Sequence, residues 1–219
     1  DAVNRYFGKW EKREVSPIPI PNAPLLEKRV VKLIDKDLTQ ANIIIGHIGI
    51  ERKNPDYYNL VVMNYILGGG GFSSRLMKNI RDNQGLVYGI HSNFDASLYP
   101  GSFAVGLQTK NETANRAIEA ALKEIRRIRE EPVSDQELDE AKSYLIGSFP
   151  LRIDTNTKIA AILTSIEYYG LGPDYFDKYP RLIGSVTKVD ITRVAKKYLD
   201  PDRFAVVVVA KQSEAKIKE

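Results

Sequence analysis

Cysteine is absent from this chain, which removes disulfides, thiolate metal sites and cysteine nucleophiles together. Histidine is nearly absent, with His47 and His91 the whole supply. A mononuclear hydrolytic zinc site takes about three protein ligands, often two histidines one helical turn apart with a neighbouring glutamate. These two histidines are far apart and both fall in segments that read as strands. The stretch His47-Ile-Gly-Ile-Glu51 has neither the spacing nor the helical setting of HxxEH or its inverse. The chain is therefore expected to hold no metal and no resident cofactor of its own. A GxSxG elbow is missing as well, which counts against the common serine hydrolase arrangement. No apolar run approaches the ~18–20 residues needed to cross a bilayer, nothing after Asp1 reads as a signal peptide, and no repeat of about 20–50 residues is evident. Charge is not concentrated either. The formal balance is +4, from 32 basic and 28 acidic residues, and segments such as KEIRRIREE at 123–131 mix both signs, which argues against a nucleic-acid surface.

What is present suits one sizeable core, since 43% of the 219 residues are hydrophobic and domains usually run ~100–200 residues. Residues 1–8 carry Val3, Tyr6 and Phe7 at helical spacing and end on Gly8, reading as the last turns of a helix that begins elsewhere. Pro17, Pro19, Pro21 and Pro24 then enforce an extended linker. Residues 1–26 are accordingly expected to be a helix end plus linker, residues 27–219 the domain, and the chain the second half of something longer. Val30 to Ile34 and Ala41 to Ile50 read as strands. A helix is expected from Asn54-Pro55 to the glycines, and a second from Ser73 or Ser74 to Gly85. Val87 to Ser97 and Gly101 to Thr109 form a hairpin across Tyr99-Pro100-Gly101. A helical stripe follows from Ala114 to Ile128, then a capping box at Ser134 and Glu137, and further N-caps at Asp154, Asp174 and Thr187. Phe204 to Ala210 closes the chain as a buried strand. The order β-β-α-α-β-β-α-α-α-α-α-β predicts an α+β fold, a mostly antiparallel or mixed sheet with helices packed on one face.

Two segments can carry chemistry. Gly68, Gly69, Gly70 and Gly71 precede a helix start, where they can present N–H groups to an anion, lie flat against an extended peptide, or simply relieve crowding at a helix corner. The Lys-Ser/Thr ending of a P-loop is missing. Arg81 closes a helix and Tyr88 opens the next strand, so both side chains can face one cleft. A guanidinium can hold a peptide carbonyl and a phenol can stabilise an oxyanion. The alternative is structural, because arginine complements a helix C-terminus and tyrosine is common in strands.

These segments together resemble the C-terminal, non-zinc half of the M16 metallopeptidases, the family of pitrilysin and the mitochondrial processing peptidase. The resemblance rests on Gly8-Lys9-Trp10 before the linker, NPDYYNLVVMNYILGGGGFSSRLMKNIRDNQGLVYGIHS, GSFAVGLQTKNETA, SFPLRIDTNTKIA and the closing VTKVDITRVAKKYLDPDRFAVVVVA. It implies a clamshell of two similar halves. The other half would carry HxxEH and zinc, while Arg81 grips substrate backbone and Tyr88 supports the tetrahedral intermediate. It also implies a substrate-contacting role for Gly68 to Gly71. Because HxxEH is absent, this chain alone is expected to be inactive, its partners being an HxxEH-bearing segment or subunit and a peptide substrate. The alternative is a non-catalytic scaffold or peptide-binding subunit of the same fold. The exposed face of a half-chamber further implies self-association of the isolated chain. The resemblance to bacterial, sometimes exported proteins favours the periplasm or cell envelope, with the cytoplasm as the alternative.

Overall fold

Alternation of apolar and polar residues builds the sheet. A computed structural model describes residues 1–218 except 12, 15, 17–19 and 22. The helix end expected at the N-terminus is α1 (Ala2–Phe7), none of whose residues is buried. The linker expected to follow it falls partly on residues outside those described, among them Pro17 and Pro19; residues 23–29 form neither helix nor strand.

Next come β1 (Val30–Asp35), β2 (Gln40–Ile48) and a two-residue strand β3 (Ile50–Glu51). Helix α2 (Tyr57–Asn64) runs into a π-helical turn over Tyr65–Gly69, and a second π-helical turn covers Met77–Asp82. Then follow β4 (Val87–Phe94), β5 (Ala96–Ser97) and β6 (Ser102–Lys110). Five helices come next: α3 (Ala114–Glu130), α4 (Asp135–Gly147), α5 (Asn156–Tyr169), α6 (Tyr175–Gly184) and α7 (Lys188–Tyr198). The chain finishes with β7 (Ala205–Ala210) and a short α8 (Gln212–Ala215).

The main sheet has the order β1-β7-β2-β6-β4, with β1 parallel to β7 and every other pair antiparallel. The α+β architecture read from the sequence is the one observed. The small parallel pair β3–β5 is additional: the long strands expected at 41–50 and 87–97 each break near their end, and the broken-off pieces pair with each other. Ile43 and Ile45 of β2, Val105 and Leu107 of β6, and Val206 and Val208 of β7 point to one face and are buried. Ile118, Leu122 and Ile125 of α3 belong to the same core, as the 3.6-residue stripe requires. Residues between them in sequence point to the other face, where Ile44 is 55% exposed. Among the described residues that face carries no helix comparable to α3.

Two expected helix starts lie elsewhere, for local reasons. The helix expected at Asn54-Pro55 begins after Asp56. The Asn54 side chain accepts the Asp56 N–H at 2.9 Å and its carbonyl accepts the Tyr57 N–H at 3.0 Å, closing a tight turn before the helix. The N-cap of α5 is Thr155, whose hydroxyl accepts from the Lys158 N–H. Asp154 instead pairs with the Lys158 ammonium at 2.8 Å. The capping box at Ser134–Glu137 is formed, and the N-cap Thr187 is completed into a second box by Asp190.

Two carboxylates tie the helices together. Asp56 is buried beneath α7, where it accepts from Arg193 Nη1 at 2.7 Å, the Tyr198 hydroxyl at 2.8 Å and Lys197 Nζ at 2.9 Å. Burial alone would raise its pKa; these hydrogen bonds outweigh that and hold it at about 2. Glu137 behaves alike, with burial opposed by hydrogen bonds from Arg75 and Ser134 that bring its pKa to about 2. Both folded values lie below the unfolded values of ~3.9 and ~4.3. Their contribution to stability is therefore complete above about pH 4.5 and is lost as pH falls toward about 2. Denaturant midpoints measured across that window should drop, and should drop less in Asp56→Asn; the same slope in variant and parent would contradict this account.

Candidate functional site

The second π-helical turn carries Arg81, and Gly85, at φ +61, ends it so that β4 can begin. Such turns recur at functional positions. Tyr88 is the second residue of β4 and lies where the pairing with β6 slips by one residue, between Val87 and Gly89. A bulge of this kind re-aims a side chain, and Tyr88 is 84% exposed. The two residues meet directly: Arg81 Nε donates to the Tyr88 carbonyl at 3.0 Å. Arg81 Nη1 also donates to Asp82 at 2.9 Å, and the guanidinium lies 5.0 Å from the centre of the Phe72 ring.

The four glycines divide. Gly68 is buried, and a Cβ there would stand 2.5 Å from Ser92 Oγ and 2.7 Å from Leu76 Cδ1, so its smallness lets the helical turn close on β4. Gly70 is half-buried, and a Cβ on it would meet the Tyr65 carbonyl at 2.8 Å. Gly69 and Gly71 are exposed, and Gly71 adopts φ +58. Of the stretch expected to touch substrate, these two are the accessible members. Phe72 is the feature the sequence reading passed over. It sits inside the quoted glycine motif, and a large aromatic directly after four glycines was the available signal.

On the open face of the sheet two cavities adjoin, sharing Ile44 and Ala104. One of 540 Å³ is lined by Tyr88, His91, Asn93 and Gln108 among others. The other, of 670 Å³, reaches Leu25 and Leu26 and is bordered by His47, Ile48 and Val207. Gly46, Gly106 and Ala205 raise no bulky side chain from the floor.

Neither histidine sits in a metal-binding set. His47 stacks on Phe204 at 4.7 Å and lies 5.3 Å from the Phe103 ring, while its Nδ1 donates to the Ile48 carbonyl at 2.7 Å. Burial lowers its pKa, as desolvation does to a cationic group. His91 is exposed on the open face, over Gly106. No group of three His, Cys, Asp or Glu residues among those described converges as a metal site. These side chains do not fit a zinc ion, and no step is assigned to one on this chain.

The fold is an α+β domain with one open sheet face, Tyr88 beside a cavity on that face, Arg81 bonded to the Tyr88 carbonyl, and no metal-donor cluster among the described residues. The sequence profile of the peptidase M16 inactive domain matches residues 1–145, and the chain belongs to that family. It is 34% identical over 173 residues to a Helicobacter pylori protein named non-peptidase homolog YmxG, covering 77% of this chain and 38% of the relative. It is 32% identical over 168 residues to the Bacillus subtilis uncharacterized zinc protease YmxG, covering 72% and 38%. The solved M16 inactive domain from Pseudomonas fluorescens superposes with a TM-score of 0.81 at 28% identity, over 88% of this chain and 46% of that one. The chain thus spans well under half the length of the curated relatives it matches.

Proposed function

We propose that this chain is the non-zinc half of an M16 zinc endopeptidase, holding an extended peptide against the open sheet face and assisting its hydrolysis. The observation that carries this reading is the direct Arg81–Tyr88 contact at 3.0 Å, with the Tyr88 phenol exposed beside a 540 Å³ cavity. Tyr88 donates its O–H to the oxygen of the scissile carbonyl as negative charge develops there. Arg81, anchored through Nε, turns its remaining N–H donors to a peptide carbonyl of the bound substrate. Zinc, its ligands and the general base come from an HxxEH-bearing segment or subunit.

A second reading has its own support in the name of the Helicobacter pylori relative, a non-peptidase homolog. In that case the same face binds peptide or a partner without hydrolysis. A zinc-supplemented peptidase assay separates the two. This chain alone should be inactive, and activity should appear when the HxxEH-bearing half is added. Cleavage by the chain alone would contradict the assisting role, and an associated but inactive pair would favour the non-hydrolytic reading.

A further inference from the structure

Arg81 springs from a surface turn, and its side chain is 36% exposed, a setting in which a long cationic side chain ordinarily samples many rotamers. Three groups act against that freedom. The Tyr88 carbonyl holds Nε, and Asp82, whose own side chain is 44% exposed, holds Nη1 through a pair that contributes little. Both act on the rim of the guanidinium. Its central carbon lies over the Phe72 ring, 5.0 Å from the ring centre, within reach of the attraction between a cation and an aromatic quadrupole.

Phe72 is 69% exposed, so burial does not account for its place. The loop before it fixes that place. Gly71 turns the chain at φ +58, a 3₁₀ turn runs over Gly71–Ser73, and two hydroxyls close it: Ser73 Oγ donates to the Gly70 carbonyl at 2.9 Å and Ser74 Oγ to the Gly71 carbonyl at 2.7 Å. Left-handed backbone at the residue before the aromatic favours glycine.

We propose that Phe72 is a positioning residue for Arg81, and that the glycine loop serves the site by presenting this ring as a platform under the guanidinium. The ring holds the guanidinium carbon over its face, and the bond from Nε to the Tyr88 carbonyl limits the turning of the group about that point. The free N–H donors then point in one direction. Displacement of the loop moves Phe72 and thereby the grip of Arg81 on a peptide. This rests on the proposed peptide-holding role of Arg81.

The test uses Phe72→Leu, Phe72→Tyr and Phe72→Trp in the full-length protein, read in two ways. Leucine keeps apolar bulk without the quadrupole, whereas tyrosine and tryptophan retain it. The Arg81 Nε–H resonance, followed by ¹⁵N NMR and assigned through Arg81→Ala, should shift and broaden in Phe72→Leu and keep its sharpness in the two aromatic variants. In peptide cleavage, KM should rise about fivefold in Phe72→Leu with kcat held within about twofold, and should return to the parent value in Phe72→Trp. An unchanged Arg81 resonance in Phe72→Leu, or aromatic variants that behave like leucine, would overturn the proposal. If Arg81→Ala leaves cleavage untouched, the peptide-holding role falls instead, and the resonance still decides whether Phe72 holds Arg81.

Discussion

Tyr88→Phe in the full-length protein should lower peptide turnover by about 10²–10³-fold, the usual effect of deleting one oxyanion donor, with little change in KM. The phenol is fully outward, at a bulge where β4 departs from the regular ladder. Removing one oxygen from a side chain that is 84% exposed deletes no packing, so thermal unfolding should be unaltered. That combination, lost turnover with intact stability, is what a group acting only on the transition state produces. Turnover within about twofold of the parent would remove Tyr88 from the chemistry and leave its aromatic ring as part of the peptide-lining wall.

Arg75→Ala should be strongly destabilising. Arg75 is buried, and its Nε and Nη2 grip the two carboxylate oxygens of Glu137 at 2.6 and 2.9 Å. Glu137 is also the third residue of α4 and closes the Ser134 capping box, so one carboxylate joins the helix that carries Arg81 to the start of α4. Deleting one partner of a buried ion pair costs about 3–5 kcal/mol; because Glu137 keeps 27% of its side-chain surface, a loss near about 3 kcal/mol is expected. Urea denaturation should show a lower midpoint with the same slope. Arg75→Lys should recover part of the loss, since an ammonium supplies the charge without the two-pronged geometry. An unaltered midpoint in Arg75→Ala would show that α4 is held by its apolar face alone.

Each element of this protein that could be read from the sequence depends on neighbours within a turn or two. The stripe Ala117, Ile118, Ala121, Leu122, Ile125 announced α3, the Ser134–Glu137 box announced α4, the N-cap Thr187 announced α7, and the β-branched run around Ile43 announced a central strand. The spacing of Arg81 and Tyr88 on either side of Gly85 is likewise local, and it sets the Arg81 side chain on the Tyr88 backbone carbonyl. Even at this range competing local bonds misled: Asn54 and Asp154 each have the chemistry of a cap, and each was diverted, Asn54 to a turn two residues before the N-cap Asp56 and Asp154 to an ion pair one residue before Thr155.

Tertiary structure decided the rest. Asp56 meets Arg193 and Lys197 across most of the chain, Arg75 meets Glu137 across the length of β4 to α3, and the short strands β3 and β5 pair although they lie far apart in sequence. The division of the glycines, with Gly68 pressed on Ser92 and Gly71 left open, follows from which side of the turn meets β4. Four identical residues carry no mark of that difference, because a glycine has no side chain to disclose its surroundings and its environment is set by what folds against it.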